Sequence, residues 1–247
     1  MMVVILAGLL CGIVNAVAGG GSLILFPALV AGGLPTLAAN VTNSVATWPG
    51  YVGGVLGFRE DLKGQARRLI PLTLITLAGS TTGCVLLLTT PTSAFDLVVP
   101  ALVLFATLLL AAQPRLKRWA AKRTHTASRP RRGLYPAMFL ATIYGGYFGG
   151  ALGVIILGAL ALTMADSLPK LNALKGVLSL IDCTVSVVIF GLYGPVSWFA
   201  VAIAAPSTLI GGYLGARLAR RLNEAHLRAA VVTLGLAVTA YFVLRQA

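Results

Sequence analysis

The chain has 247 residues, 58% of them hydrophobic and only 10% charged, with mean hydropathy +0.92, against roughly 25% charged residues in soluble domains. This excludes a soluble enzyme and leaves little room for a soluble domain, so the fold class expected is an all-α integral membrane protein. The net charge of +13 does not call for a nucleic-acid partner, because Lys and Arg gather in short loops between apolar segments, and the partner expected is the lipid bilayer.

Residues 2–34 form an apolar run too long for one span of about 20 residues and too short for two. Gly19-Gly20-Gly21 interrupt it, each glycine weakening a helix by about 1 kcal/mol relative to alanine. Ala16-Val17-Ala18 looks like a signal-peptidase site, but no Lys or Arg precedes it, which argues against a cleaved leader. Leu34-Pro35 makes a turn and residues 36–57 form a span, followed by a basic loop with Arg59, Lys63, Arg67 and Arg68. Spans at 69–89 and 97–112 follow, and residues 113–133 form a linker with eight basic residues and no acid, the surest cytoplasmic segment.

The second half repeats this plan. A long apolar run, 134–165, is broken around Gly145-Gly146 and Gly149-Gly150, with Gly153 beyond; Leu168-Pro169 makes a turn, and spans at 170–191, 196–216 and 227–244 follow, with Arg217, Arg220, Arg221 and Arg228 between the last two. A shift of 134 superposes Gly12 on Gly146, Gly19 on Gly153, Leu34-Pro35 on Leu168-Pro169 and Gly57 on Gly191. The expected domains are therefore a first repeat, 1–112, the basic linker, and a second repeat, 134–247. If each broken run crossed the membrane, the loop around Arg217 would lie outside, against the positive-inside rule. If each is a re-entrant hairpin, every basic loop falls inside, each half has three crossings, and the halves are inverted. Six spans and two hairpins meeting near the midplane are expected.

After each tip a helix begins whose first N–H groups lack intrahelical acceptors and whose dipole places positive charge there. Two such ends converging make a site for a small anion. Candidate substrate-binding residues at the tips are Asn15, Gly19, Gly20, Gly21, Ser22, Gly149, Gly150 and Gly153. Polar residues at helical spacing add two stripes, Thr36/Asn40/Asn43/Thr47 and Asn172/Lys175/Ser179/Asp182/Ser186. From these, Asn40, Asn43, Asn172 and Lys175 join the binding candidates. Asn40 and Asn43 offer amide hydrogens either to an oxyanion or to a neighbouring helix, and Lys175 either attracts substrate or snorkels to the interface. Asp182, the one acid well inside a span, is the proton-coupling candidate or a structural partner. Trp48 either walls the cavity or packs. The glycine pairs Gly8/Gly12, Gly79/Gly83 and Gly211/Gly215 read as helix-packing surfaces, which permit a homodimer without requiring one. Cys11, Cys84 and Cys183 read as small core residues, and His125 and His226 as solvated. No nucleophile-base pair, metal cluster or Walker-type loop is present, so no enzyme, catalytic residue, metal or cofactor is expected.

The motifs Gly19-Gly20-Gly21-Ser22-Leu23-Ile24 through Pro27, Gly33-Leu34-Pro35, Asn40-Val41-Thr42-Asn43 and Trp48-Pro49-Gly50 recur in outline as Tyr144-Gly145-Gly146-Tyr147-Phe148-Gly149-Gly150 and Asn172-Ala173-Leu174-Lys175. Over nearly its full length the chain resembles the sulfite exporter family of the TauE/SafE type, departing from the pattern at Gly176, where Asn is expected. The resemblance implies a multi-pass secondary transporter of the plasma or inner membrane that moves sulfite, sulfonates or similar sulfur oxyanions, often outward. With the cell interior negative, export of one negative charge gains about 2.3 kcal/mol per 100 mV, so export needs no coupling whereas uptake does. The alternatives are proton-coupled uptake of such an anion and, from another class, a non-transporting membrane scaffold.

Overall fold

The computed structural model describes residues 1–62, 64–123, 133–164, 166–219 and 224–246. Lys63, Arg220, Arg221, and residues 124–132 of the expected basic linker, His125 among them, lie outside the described residues. Among the described residues there are ten α-helices and no strand. They are α1 (Met2–Val17), α2 (Ser22–Ala31), α3 (Thr36–Gly57), α4 (Ala66–Thr89), α5 (Thr92–Arg123), α6 (Leu134–Tyr147), α7 (Leu152–Thr163), α8 (Leu168–Tyr193), α9 (Trp198–Leu218) and α10 (Glu224–Gln246). Four of the last five helices begin 132 residues after their counterparts: 134 against 2, 168 against 36, 198 against 66 and 224 against 92.

Against six expected spans, α4, α5, α8, α9 and α10 are long and apolar enough to cross a bilayer. At 22 residues α3 has the length, about 33 Å. Its Asn40, Thr42, Asn43 and Thr47 lower its hydropathy, yet all four are buried, so the polar face of α3 is turned inward. The fifth helix also departs from the expected 97–112, because the helix-forming Leu, Lys, Arg and Ala residues beyond Gln113 continue it to Arg123 despite Pro114.

Both short apolar runs break where a left-handed backbone is needed. Gly19 has φ +85 and Gly149 φ +73, values open to glycine without steric cost. Ala151 also takes φ 57, a strain of about 1–2 kcal/mol for a residue with a Cβ. After the first break α2 folds back along α1: Gly21 lies against the Cys11 backbone, and Val3 and Leu6 share a groove with Ala28 and Ala31. Its open end adjoins Pro35, Thr36, Thr92, Asp96 and Phe242, where Thr36 donates a hydrogen bond to Asp96. The second hairpin, α6 and α7, opens at the other end of the bundle. There Leu134, Met138, Leu160 and Met164 pack in one cluster with Leu72 and Leu171, and Arg68 pairs with Asp166. The described parts of the loops carrying Arg59, Arg68 and Arg217 share this end.

Small residues set the seams. Gly8 and Gly12 of α1 meet Ala204, Ser207, Thr208 and Gly212 of α9, while Gly79 and Gly83 of α4 meet Phe139, Thr142 and Ile143 of α6. In each seam the two helices run parallel with backbones close enough that a Cβ has no room, the close approach that small residues permit in membranes. The three cysteines are free and buried.

Candidate functional site

The two hairpin tips touch. A Cβ placed on Gly19 would stand 3.0 Å from the Cα and carbonyl carbon of Gly153, and behind this contact Phe26 and Phe148 meet edge to face at 5.6 Å. The carbonyl ends of the first arms are taken up by donors from the long helices. Lys175 Nζ lies 3.4 Å from the carbonyls of both Asn15 and Ala16, Gln113 Nε2 donates to Ala18 O at 3.0 Å, and Asn40 Nδ2 donates to Tyr147 O at 3.0 Å. Asn15 Oδ1 in turn accepts the Gly21 N–H at 2.7 Å, serving the start of α2. Each donor answers an orphan group that a broken helix leaves in an interior without water. A buried ammonium at the carbonyl end of α1 also complements its dipole.

Beside the tips lies a cavity of about 20 Å³ lined by Ser22, Asn43, Ser44, Thr47, Tyr51, Gly145, Gly149, Leu152, Asp182, Cys183 and Ser186. Asp182 is 3% exposed and Asn43 2%, and Asp182 Oδ1 and Asn43 Oδ1 have no hydrogen-bond partner. Around them, Ser44 donates its hydroxyl to Asn40 O at 3.1 Å, Thr47 to Ser44 O at 3.1 Å and Ser186 to Asp182 O at 3.1 Å.

The candidates named by the sequence therefore fall into three groups. Gly19, Gly153 and Lys175 form the tip contact, Asn15 and Gly21 bond each other within the first tip, and Asn40 holds the second. Ser22, Asn43, Gly149 and Asp182 line the cavity. Gly20, Gly150 and Asn172 lie elsewhere: a Cβ on Gly20 would meet Leu110, one on Gly150 would meet Phe148 and Ala106, and Asn172 faces a wider recess of about 420 Å³ at the basic end with Glu60, Asp61, Leu157 and Arg217. Lys175 does not snorkel, being 3% exposed. Trp48 does not line the cavity; it donates to Thr184 Oγ1 at 2.9 Å from a position 36% exposed. Sequence reading missed Tyr51, Ser44, Gly145 and Gln113. Tyr51 was signalled by the stripe, one turn beyond Thr47. Gln113 was hidden among the basic residues that follow it.

A short apolar hairpin pair wedged tip to tip inside a bundle of long helices, with buried amide, ammonium and carboxylate groups at the junction, is the anatomy of a membrane carrier rather than of an enzyme. A profile of the family described as sulfite exporter TauE/SafE matches residues 4–242. The chain belongs to the TauE/SafE family. Among curated relatives of this TauE/SafE chain, a probable membrane transporter protein of Haemophilus influenzae is 27% identical over 239 residues, covering 97% of this chain and 92% of that one. The probable membrane transporter protein YfcA of Escherichia coli K12 is 26% identical, covering 89% and 79% respectively. The probable membrane transporter protein ORF9 of a Sinorhizobium species is 22% identical, covering 86% and 80%. No solved structure matches the chain. It is a multi-pass membrane transporter.

Proposed function

We propose that this transporter exports small sulfur-containing oxyanions, sulfite or organosulfonates, across the plasma membrane by alternating access. In this reading the two groups of five helices are inverted repeats, and the α1–α2 and α6–α7 hairpins are re-entrant. The carrying observation is the Gly19–Gly153 contact with Lys175 beside it. There the N-terminal ends of α2 and α7 and a buried ammonium supply positive potential to an anion that parts the tips. The recess at the basic end, with Arg217 at its rim and Asn172 one turn before Lys175, is the entry route from the cytoplasm.

Purified protein screened by thermal unfolding against sulfite, thiosulfate, an organosulfonate, acetate and chloride tests this. A sulfur oxyanion should raise Tm in a saturable way, by mass action on the folded state. Equal Tm with all five would remove the substrate assignment.

The position of Asp182 favours a second reading, proton-coupled uptake of a similar anion, because an ionised carboxylate beside the tips repels an anion unless it carries a proton. Asp182→Asn should then abolish accumulation in reconstituted vesicles while leaving anion exchange intact. Accumulation by the variant at the wild-type level would remove this reading.

A further inference from the structure

We infer that the cavity beside the tips is a binding site for a sodium ion. Its wall is rich in side-chain oxygens. The hydroxyls of Ser44, Thr47 and Ser186 lie within donating distance of backbone carbonyls, which leaves their oxygens lone pairs to offer a cation. Asp182 Oδ1 and Asn43 Oδ1, both on residues more than nine-tenths buried, have no donor at all. Only Ser22 and Tyr51 keep hydroxyl hydrogens to offer. Among the described residues no Lys, Arg or His forms an ion pair with Asp182, and Lys175 is turned toward the α1 carbonyls.

Two needs follow. A buried carboxylate has to be neutralised, and unmet acceptors in an interior without water have to be met. A proton on Asp182 neutralises the charge but leaves the cavity empty. A water fills the cavity, since about 10–15 Å³ suffices for one, but alone neutralises nothing, so proton and water would be needed together where one cation suffices. A small hard cation does both, and oxygen is the ligand such cations take. The volume of about 20 Å³ is of the size that one small guest fills. The ligands come from α3 (Asn43, Ser44, Thr47, Tyr51), from α8 (Asp182, Ser186) and from the first residue of α2 (Ser22). An ion held there ties the first hairpin tip to both long helices. This goes beyond anion export, and it gives Asp182 a metal ion where the proton-coupled reading gives it a proton.

The test is thermal unfolding of the full-length purified protein at fixed pH and without sulfur oxyanions, titrating NaCl against choline chloride at constant total chloride. Wild-type Tm should rise saturably with Na⁺, and KCl should give a much smaller rise. Asp182→Asn, close to isosteric, should lose the rise. Thr47→Val, which keeps the side-chain shape, should shift half-saturation by about tenfold, as loss of one partner of a bound ion does. A wild-type Tm indifferent to Na⁺, an equal rise with K⁺, or a full rise retained in Asp182→Asn would each overturn the assignment. Because no sulfur anion is present, failure here leaves the anion screen untouched, and failure of that screen leaves this result standing.

Discussion

Gly153→Val is expected to reduce anion flux to background while the protein still inserts and folds. Gly153 is the second residue of α7, and a Cβ there would stand 3.0 Å from Gly19 Cα, 3.4 Å from Gly19 O and 3.4 Å from Lys175 Cδ. Two of these neighbours are backbone atoms of the opposite tip and cannot rotate away, so the tips themselves must separate. Overpacking of this kind costs about 1–3 kcal/mol, within the roughly 5–15 kcal/mol by which a domain is stable. The fold survives, but the surfaces that must meet and part in each transport cycle no longer fit. Gly158→Val, on the same helix, is the control: its Cβ would meet only Leu116 Cδ1 at 3.9 Å, ordinary contact, so flux in reconstituted vesicles should persist. Wild-type flux in Gly153→Val, with expression equal to the control, would remove the tip contact from the mechanism.

What the residues announced and what they concealed divide along a physical line. A glycine triplet inside hydrocarbon, a Leu-Pro turn and polar residues spaced at helical intervals are local, and the break at residues 18–21, the turn at Pro35 and the buried stripes of α3 and α8 were legible from them. Partnerships across the bundle were not. That Lys175 reaches the carbonyls of Asn15 and Ala16, or that Asn40 holds Tyr147, depends on the rotation of each helix about its axis, which spacing leaves open. The glycines themselves misled at Gly20 and Gly150: of these four tip glycines, Gly19 and Gly149 adopt the positive φ that demands glycine, and the other two serve packing against Leu110 and Ala106. Matching glycine to glycine aligned Gly19 with Gly153, a shift of 134. The helix starts lie 132 apart, and α2 and α7 begin at 22 and 152. The residue equivalent in backbone to Gly19 is Gly149, and Gly153 is instead the surface it touches.

Two polar centres of opposite character thus lie within one turn or two of each other along α8. Lys175 faces the tip contact, and Asp182, seven residues on, lines the small cavity beside it. Seven residues is close to two helical turns, about 10 Å, so both charges occupy the same face of one rigid helix. Movement of either hairpin tip therefore alters the surroundings of both, and an anion beside Lys175 and a cation beside Asp182 favour each other electrostatically.

Lys175→Met should be nearly as severe as Gly153→Val, for a reason that is electrostatic rather than steric. Methionine keeps most of the volume, so packing against Gly153 changes little. What disappears is the donor for Asn15 O and Ala16 O, at a cost of about 1–3 kcal/mol for buried acceptors left unmet, together with the positive side chain at the tip contact. If the anion binds there, losing an interaction of even about 1.4 kcal/mol weakens binding tenfold, so the concentration of sulfite that half-saturates the rise in Tm should climb at least that far. Lys170→Met separates this from a general effect of charge. Lys170 lies at the basic end, about half exposed and 3.9 Å from Asp166, where an ion pair is worth about 0–1 kcal/mol, and its loss should leave both half-saturation and flux near wild type. A Lys175→Met protein that is destabilised yet binds sulfite as tightly as wild type would assign the lysine to holding the end of α1 alone. The anion would then have to be held by the helix termini without it.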